Sequence, residues 1–561
     1  MQLRQAIRDI IFFSIFAVIM LSGVVTFAIA EKETSGHNKD RLEDEWRLTL
    51  GTDEDYGLVS LDTFRLPHKI QKGEIITLEK KLPRTIIRNE TMRLYVRQAA
   101  IKVYCNNEEI YSYGYDRLAE GLFVGTGYHF VDLPSTNGPA DIVVRMTASE
   151  DGGFTFLPEI KMSSYGSAYT EFAKERLFSV FSGVFLFVLG ISLSIVSLFY
   201  MSLDVDYFPL VMIGFISLLL GLWIMLSIGV LRLFSVDVSF NNMMEYTVMY
   251  FMVVPLILYS LHIRKKRGEN ILRVQIVSVI SFLFALLAVV FHLTNTVYVI
   301  SLNTAFEIGV ILVFFFLLCD ERAKFSDLSY SGKIFRIAMI FGMCATVADI
   351  IRFQLSIHMF PENRLLQTSI IPISALAFVG LLMHSYLSDL STRLLRRAER
   401  DALTKLAYGD RMTGLSNRAR SSVIFSELDS SGNPYGIINM DLNGLKTIND
   451  TYGHSQGDEL ICAFAGLIGR LFGGVGECVR MSGDEFIVVV RGKENMAKAR
   501  DILLSLPEEE AKAGEKYSFT IDASYGLAES TEYDRPKAEE VYQTADRRMY
   551  DMKVKSKKGR S

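Results

Sequence analysis

Two acidic segments in the last third of the chain carry the residue types that phosphoryl transfer needs. In the first, an apolar run from Tyr435 ends at Asp441, and Gly444 follows three residues later. Such a strand, turn and helix can hold a phosphate on the first N–H groups of the helix. In the second, Ser-Gly-Asp-Glu at 482–485 separates two short apolar runs. This pattern predicts a hairpin turn with two carboxylates at its tip.

Together, these carboxylates predict a site for a divalent metal ion. Mg²⁺ prefers hard oxygen ligands, commonly one or two carboxylates together with the phosphates of a substrate. Bound ions of this kind polarise a phosphate, lower the pKa of a hydroxyl and neutralise a leaving group. We therefore expect Mg²⁺ as the cofactor, with Mn²⁺ as the alternative. Taken alone, the turn at 482–485 is also explained by a solvated surface hairpin.

The segment between these two acidic segments predicts two helices. Asn449 lies eight residues beyond Asp441, on the helix expected after the turn. The stretch 452–459 ends this helix and begins another, in which apolar residues from Leu460 to Leu471 recur with helical spacing.

The composition of the whole chain excludes several classes of protein. The chain has 561 residues, of which 50% are hydrophobic and 22% charged, and its mean hydropathy is +0.25. A disordered chain or a single soluble domain rarely has this composition. The net charge of −4 gives no reason to expect binding to nucleic acid. Five cysteines without a CxxC motif exclude a disulfide scaffold and a structural zinc site.

The apolar stretches predict a protein embedded in the membrane. Residues 10–30 carry no charge and are long enough to span a bilayer. They form either a signal anchor or a signal peptide cleaved after Ala30. Seven further stretches lie near 177–200, 207–234, 243–263, 271–293, 297–319, 334–356 and 366–388.

The charges of the loops predict the orientation of these spans. The loop at 264–270 begins with four basic residues, whereas the loops at 235–242 and 294–296 contain no Lys or Arg. Positive loops stay on the cytoplasmic side. We therefore expect a multi-pass protein of the cell membrane, with residues 31–175 outside and the C-terminal domain in the cytoplasm.

The outer segment, 31–175, predicts a β-sandwich, because short alternating runs are separated by Gly and Pro. One hairpin is expected around Asn106 and Asn107. Aromatic residues between Tyr111 and Phe130 either line a ligand site or pack within the domain. The linker, 389–409, has apolar residues at helical spacing and predicts either a short parallel coiled coil or a plain connecting helix.

Six motifs of the C-terminal region resemble the GGDEF family of diguanylate cyclases. They are DRMTGLSNR at 410–418, DLNGLKTIND at 441–450, GHSQGDEL at 453–460, RMSGDEF at 480–486, ASYGLAE at 523–529 and ADRRMYDMK at 545–553. The resemblance implies an α+β domain with the βααββαβ order of the nucleotidyl-cyclase palm. It also implies that two GTP molecules, one in each subunit of a homodimer, condense into cyclic di-GMP and release two pyrophosphates.

The resemblance also implies a role for each matching residue. The metal ligands would be Asp441, Asp484, Glu485 and the carbonyl of Leu442. The catalytic residues would be Asp484, Glu485 and Arg480. Glu485 would also activate the attacking hydroxyl, and Arg480 would lie beside the signature. Guanine would be bound by Asn449 and Asp458, whose oxygens can accept from its N–H groups. Phosphate would be bound by the N–H groups of Gly444 and Leu445 and by the side chains of Lys446, Lys553 and Lys557.

The sequence departs from the family pattern at three places. Ser482 replaces the first glycine of the signature. The stretch Gly473–Gly476 replaces the RxxD of the inhibitory site, so we expect no product inhibition there. At the C-terminus, only the spacing from Lys553 supports Lys557. Because of Ser482, a degenerate domain that binds GTP and acts as a signalling scaffold stays an alternative. A cyclase for an adenine-containing dinucleotide and a transporter are further alternatives, which Asp458 and the intact motifs disfavour.

The layout upstream is similar to the receptors with seven transmembrane segments and diverse intracellular signalling modules. The similarity rests on the order of the segments and on VYCNNEEIYSYG at 103–114. It implies a jelly-roll-like sensor domain that binds an unidentified ligand outside the cell. The expected domains are 1–30 (anchor or signal peptide), 31–175 (sensor), 176–388 (seven-helix bundle), 389–409 (signalling helix) and 410–561 (GGDEF domain).

Overall fold

The computed structural model describes residues 45–559 except 52–53, 62, 87–89, 153–156, 165, 202–205, 234–236, 321–323 and 359–368. The segment predicted as an anchor or signal peptide, 1–30, lies outside the described residues. The chain divides into two compact units, Met1–Ser391 and Thr392–Ser561.

The N-terminal part of the first unit is built from two antiparallel sheets. Its strands are β1 (Trp46–Leu50), β2 (Glu54–Val59), β3 (Ile75–Leu82), β4 (Glu90–Val96), β5 (Ala99–Cys105), β6 (Glu108–Tyr113), β7 (Gly127–Leu133), β8 (Ala140–Ala148) and β9 (Ile160–Ser164). One sheet has the order β2-β1-β3-β8-β5-β6 and the other β7-β4-β9. The inner faces of both sheets share one hydrophobic core, which includes Trp46, Leu94 and Val144. The β-rich character of the N-terminal region is confirmed, and its sensor role and jelly-roll topology stay predictions.

The predicted hairpin around Asn106 is confirmed. Strands β5 and β6 pair antiparallel, and Asn106 and Asn107 connect them with φ of 49° and 66°. Asn tolerates this left-handed region better than most residues, which is why such turns favour it.

Two short helices complete the region: α1 (Tyr115–Ala119), which follows β6, and α2 (Ser167–Glu175), which follows β9. Several of the clustered aromatic residues have packing partners. The ring of Phe130 stacks on Tyr169 of α2 at 4.5 Å between centroids, and Tyr128 meets Phe172 of α2 edge-on at 4.9 Å. These contacts favour the packing interpretation for this part of the cluster.

Seven helical segments of the described chain are long and apolar enough to cross a membrane, as the sequence predicts. They span Leu177–Met201, Phe208–Ser227, Val238–Lys266, Leu272–Leu293, Val299–Cys319, Tyr330–Leu355 and Ile371–Tyr408. The corresponding α-helices are α3 (Leu177–Met201), α4 (Phe208–Ser227), α5 (Val238–Phe251), α6 (Val253–Lys266), α7 (Leu272–Leu293), α8 (Asn303–Cys319), α9 (Tyr330–His358) and α10 (Ile371–Tyr408).

The third and seventh spans differ in detail from the predicted stretches. The third consists of α5 and α6, which meet at Met252. Pro255 lies just beyond and has no N–H to donate to the preceding turn, which accounts for the interruption. The seventh span continues as a single helix, α10, to Tyr408. The expected signalling helix at 389–409 is therefore, as far as Tyr408, a continuation of this span, and the helix has no break at 388. This continuation is the part predicted to lie in the cytoplasm.

The loop between β6 and β7 contacts the start of α5. The Arg117 guanidinium lies 3.0 Å from the Asp237 carboxylate. The backbone N–H of Thr126 donates to Asn242 Oδ1 at 2.5 Å. Gly125 has φ +94°, and a Cβ there would lie 3.1 Å from the backbone of Ser239. The sensor region and the helical bundle therefore meet through backbone as well as side-chain contacts.

The second unit contains a five-stranded sheet covered by helices. Its elements are β10 (Ser416–Asn417), α11 (Arg418–Ser431), β11 (Tyr435–Leu442), α12 (Leu445–Tyr452), α13 (His454–Phe472), β12 (Gly476–Ser482), β13 (Glu485–Arg491), α14 (Lys493–Gly514), β14 (Ala523–Glu529) and α15 (Ala538–Gly559). The strand order is β10-β12-β13-β11-β14. From β11 to β14 the elements follow the βααββαβ order that the resemblance implies.

Both faces of this sheet are covered. Ile438, Met440 and Leu442 of β11 pack with α13 and α14. Tyr435 and Ile437 pack on the opposite face with α11 and α15. Because side chains alternate along a strand, Asn439 and Asp441 belong to the face that α15 covers.

Glu510 of α14 is a buried carboxylate. It is 5% exposed, and its Oε1 has no hydrogen-bond partner in the described part of the chain. Burial raises the pKa of Glu510 to about 8; Asp522 adds to the shift and the backbone N–H of Ala523 opposes it.

We expect the Glu510→Gln variant to be more stable than the wild type at alkaline pH. The unfolded chain ionises Glu510 near its ordinary pKa of 4.5 and the folded chain near 8, so the free energy of unfolding falls as pH rises between these values. Gln cannot ionise, so the variant should gain about 4 kcal/mol at pH 8.5 and about 1 kcal/mol or less at pH 5. Denaturant unfolding of residues 392–561 at both pH values measures this difference. An equal difference at both pH values would contradict the assigned ionisation.

Candidate functional site

Strand β11 carries Asp441 to one edge of the sheet. All eight residues of the strand are buried, and Asp441 pairs in register with Glu485 of β13 and Ser524 of β14. The backbone N–H of Leu442 donates to the carbonyl of Asp484 at 3.0 Å. The hairpin between β12 and β13 therefore lies beside the end of β11, and the predicted meeting of the two acidic segments is present.

Arg480 holds the hairpin turn together. Its guanidinium donates to the carbonyl of Gly483 from Nε at 3.1 Å and from Nη2 at 2.9 Å. Nη1 donates to Asp410 Oδ1 at 3.2 Å. Burial opposes ionisation of Asp410, but the hydrogen bonds from Thr413 and Arg480 outweigh it and lower the pKa of this carboxyl. The structure thus places Arg480 on the turn backbone and on the loop that begins with Asp410.

Ser482 makes a hydrogen bond to one of the two signature carboxylates. Its hydroxyl donates to Glu485 Oε2 at 2.8 Å. Ser482 itself is exposed, while Asp484 and Glu485 are half-buried. The residue that departs from the family signature is therefore in direct contact with the acidic group of that signature.

Lys553 of α15 pairs with Asp441. Its Nζ lies 2.5 Å from Asp441 Oδ1, and Asp441 is only 8% exposed. Burial raises the pKa of Asp441, Lys553 opposes this shift, and the negative charges of Asp484 and Glu485 reinforce it. The charges of Asp484 and Glu485 therefore act on Asp441 at the end of β11, and the ammonium group of Lys553 opposes them.

The donor chemistry of this cluster fits a hard divalent cation. Asp441, Asp484, Glu485 and the carbonyl of Leu442 offer only oxygen ligands, which Mg²⁺ and Mn²⁺ accept. Within the described residues, no three acidic, His or Cys side chains already converge in the geometry of a metal site. The cluster therefore offers the ligand types that a divalent ion needs, and its side chains would have to rearrange to bind one.

The turn after β11 is open to a phosphate group. Gly444 begins α12 with φ of 76°, and an added Cβ there would meet nothing within 4 Å. The first N–H groups of a helix have no partner within it, so those of Leu445 and Lys446 are the groups that a phosphate would use here. The Lys446 side chain is exposed. Only two residues separate Asp441 from Gly444, so the loop of Gly444 and Leu445 lies next to the carboxylate cluster.

Asn449 and Asp458 meet at the junction of α12 and α13. The side chain of Asn449 lies against Gly457, where a Cβ would overlap Asn449 Oδ1. Asp458 is the next residue of α13 and is exposed. The two residues expected to bind guanine are therefore adjacent in space. Lys557 belongs to α15, but its side chain lies outside the described residues.

Sequence reasoning missed the pair that positions α15. Asn439 Nδ2 donates to Asp546 Oδ1 at 2.7 Å. Asn439 precedes Asp441 by two residues on β11, and Asp546 precedes Lys553 by two helical turns, so each pair shares one face of its element. The helix also lies close to β14, because a Cβ at Gly526 would overlap the carbonyl of Ala545. A polar residue inside the apolar run of β11 was the available signal.

Comparisons with known proteins agree with this arrangement. A family described as "Diguanylate cyclase, GGDEF domain" matches residues 407–559. The "Diguanylate cyclase DgcS" of Shewanella oneidensis is 28% identical over 166 residues, covering 29% of this chain and 54% of that protein. A "Diguanylate cyclase" of Vibrio cholerae is 35% identical over 95 residues, covering 16% of this chain and 30% of that protein. The chain thus spans about half or less of the length of these relatives.

Solved structures give a further comparison. The coiled coil and GGDEF domain of DgcB from Caulobacter crescentus, in complex with c-di-GMP, is 23% identical, with a TM-score of 0.26. The match covers 31% of this chain and 94% of that one. Taken together with the six motifs and the βααββαβ order, the family match identifies the C-terminal domain of this chain, residues 407–559, as a member of the GGDEF family.

Proposed function

We propose that this chain is a membrane-bound diguanylate cyclase that condenses two GTP molecules into cyclic di-GMP. The observation that carries the proposal is the cluster at the end of β11. There, Asp441 pairs in register with Glu485, the N–H of Leu442 donates to the carbonyl of Asp484, and the open turn at Gly444 follows within three residues. The cluster supplies oxygen ligands for a divalent ion, and the turn supplies N–H groups for phosphate.

The reaction forms one phosphoester bond in each of two steps. The 3′-hydroxyl of one GTP attacks the α-phosphate of the other, the bond to the β-phosphate breaks, and pyrophosphate leaves. Bound Mg²⁺ would supply Lewis-acid stabilisation of the phosphate charge, held by the three carboxylates and the carbonyl of Leu442. Glu485 accepts the proton of the hydroxyl, and Lys446 and Lys553 bind the triphosphate.

The base is selected at the junction of α12 and α13. Guanine carries N–H donors at N1 and N2, which the oxygens of Asn449 and Asp458 can accept. Adenine lacks this pair of donors, so the geometry favours GTP. Each domain binds one GTP, and two domains must face each other for cyclisation. We therefore propose a homodimer formed through the cytoplasmic domain.

The seven spans and the loop charges support a sensor outside the cell and a cyclase in the cytoplasm. The basic stretch 264–270 begins in the last turn of α6, and an odd number of spans separates the sensor region from the cyclase. An unidentified ligand outside would act on the helical bundle through the loop between β6 and β7. Helix α10, which runs from the seventh span to Tyr408, would carry the change to the cyclase.

We expect the Asp484→Ala variant to lose at least 100-fold in cyclic di-GMP formation, because one ligand of the metal is removed. The full chain in detergent and a fragment from residue 386 fused to a dimerising coiled coil are incubated with Mg²⁺ and an equal mixture of GTP and ATP. Mass spectrometry identifies the products. Asp501→Ala, which removes an exposed aspartate of α14, is the matched control and should keep the wild-type rate.

The products separate the candidate functions. If the wild type and Asp484→Ala both bind GTP but make no cyclic dinucleotide, the domain is a signalling scaffold and not an enzyme. An adenine-containing product would contradict the roles of Asn449 and Asp458. A rate that Asp484→Ala leaves unchanged would contradict the proposed metal site.

We expect the Gly125→Ala variant to disconnect the sensor region from the cyclase. A Cβ at Gly125 would press on the backbone of Ser239, whereas a Cβ at Gly121, which also has positive φ, would meet nothing within 4 Å. Gly121→Ala therefore reproduces the backbone strain without the clash. Rates of cyclic di-GMP formation are measured in vesicles that contain the wild type, either variant, or a chain without residues 31–175.

The rate of Gly125→Ala should match that of the chain without the sensor region, and the rate of Gly121→Ala should match the wild type. Membranes or extracts of the native host are added as a source of ligand. If deletion of residues 31–175 then leaves the rate unchanged, control from outside is excluded. If both glycine variants behave alike, this contact does not carry the signal.

A further inference from the structure

The end of β12 contains an irregularity that changes which residue faces Glu485. Arg480 pairs with Phe486, but the next pair joins Ser482 to Glu485, so Met481 forms a bulge. Directly paired residues of an antiparallel ladder point to the same face of the sheet. The bulge therefore brings the side chain of Ser482, rather than that of Met481, beside the carboxylate of Glu485.

The hydrogen bond between these side chains leaves part of the carboxylate available. Ser482 donates to Glu485 Oε2 at 2.8 Å, and a serine hydroxyl has a single proton to donate. Oε1 keeps its lone pairs for another partner. A carboxylate that ligates a metal is commonly held by a hydrogen bond of this kind, which fixes its orientation. Glycine at position 482 has no group that could make this contact.

We propose that Ser482 is a positioning residue, which orients Glu485 so that its free oxygen can ligate the divalent ion. This inference rests on the proposed function, because it assigns Glu485 to the metal. It also changes the meaning of the departure from the family signature. The serine replaces the conformational freedom of glycine with a specific contact to the acid of the same hairpin. In this proposal Ser482 acts through its hydrogen bond to Glu485 and is not itself a ligand of the ion.

The experiment measures Mn²⁺ binding to the full chain in detergent. Free Mn²⁺ is followed by electron paramagnetic resonance in the presence of a GTP analogue with a methylene group between the α- and β-phosphates. The variants are Ser482→Ala, Ser482→Gly and Ser482→Thr, of which only the last keeps a hydroxyl. Ser505→Ala is the control, because Ser505 is an exposed serine on α14. Cyclase rates are measured over the same range of Mn²⁺ concentrations.

We expect Ser482→Ala and Ser482→Gly to raise the Kd for Mn²⁺ three- to tenfold, and Ser482→Thr and Ser505→Ala to stay within twofold of the wild type. The rate deficit of Ser482→Ala should largely disappear at saturating Mn²⁺. An unchanged Kd in Ser482→Ala, or tighter binding in Ser482→Gly, would overturn the proposal. A Kd that depends on Ser482 in a protein that makes no cyclic di-GMP would uphold the positioning role and refute the enzyme.

Discussion

The arrangement of the C-terminal domain depends on the burial of negative charge at the end of β11. Asp441 lies at the end of a fully buried strand, and its carboxylate is close enough to Asp484 and Glu485 for their charges to raise its pKa. An ionised carboxylate in such a place is stable only with a compensating cation. Lys553 supplies that charge in this structure. Because a divalent ion would satisfy the same requirement more completely, the site is prepared for metal by its electrostatics as well as by its ligands.

The position of Lys553 depends in turn on the docking of α15. The helix is held by several polar contacts, among them Asn439 with Asp546 and Arg548 with the carbonyl of Leu527, and by the close approach to β14 that Gly526 permits. In this pair, Asn439 Oδ1 has no hydrogen-bond partner among the described residues. Such an atom is unfavourable in a core. The contacts of α15 with β11 and β14 thus place the ammonium group of Lys553.

Much of this domain could be predicted from the sequence because its signals are local. Fewer than ten residues are enough to recognise the apolar run that ends at Asp441, and the same is true of the hairpin at 482–485. The structure confirms both. The membrane spans were equally readable, since a long apolar stretch needs no distant partner. The pair of Asp441 and Lys553 was not readable as a contact, because 112 residues separate them. Pairs across different elements depend on how a helix docks, which periodicity does not encode. The same holds for the contact of Arg480 with Asp410, because 70 residues separate them.

Ser482 illustrates how the same substitution has a different meaning in the sequence and in the structure. Compared with the family signature alone, the serine is a loss, because it removes the most permissive residue from a tight turn. In the fold, the bulge at Met481 brings its hydroxyl opposite Glu485, and the substitution adds a hydrogen bond that glycine cannot make. The side chain of Ser482 is exposed and does not pack in the core. Whether a departure from a signature indicates degeneration therefore depends on the partner of the new side chain. Here that partner is the acid on which the proposed chemistry depends.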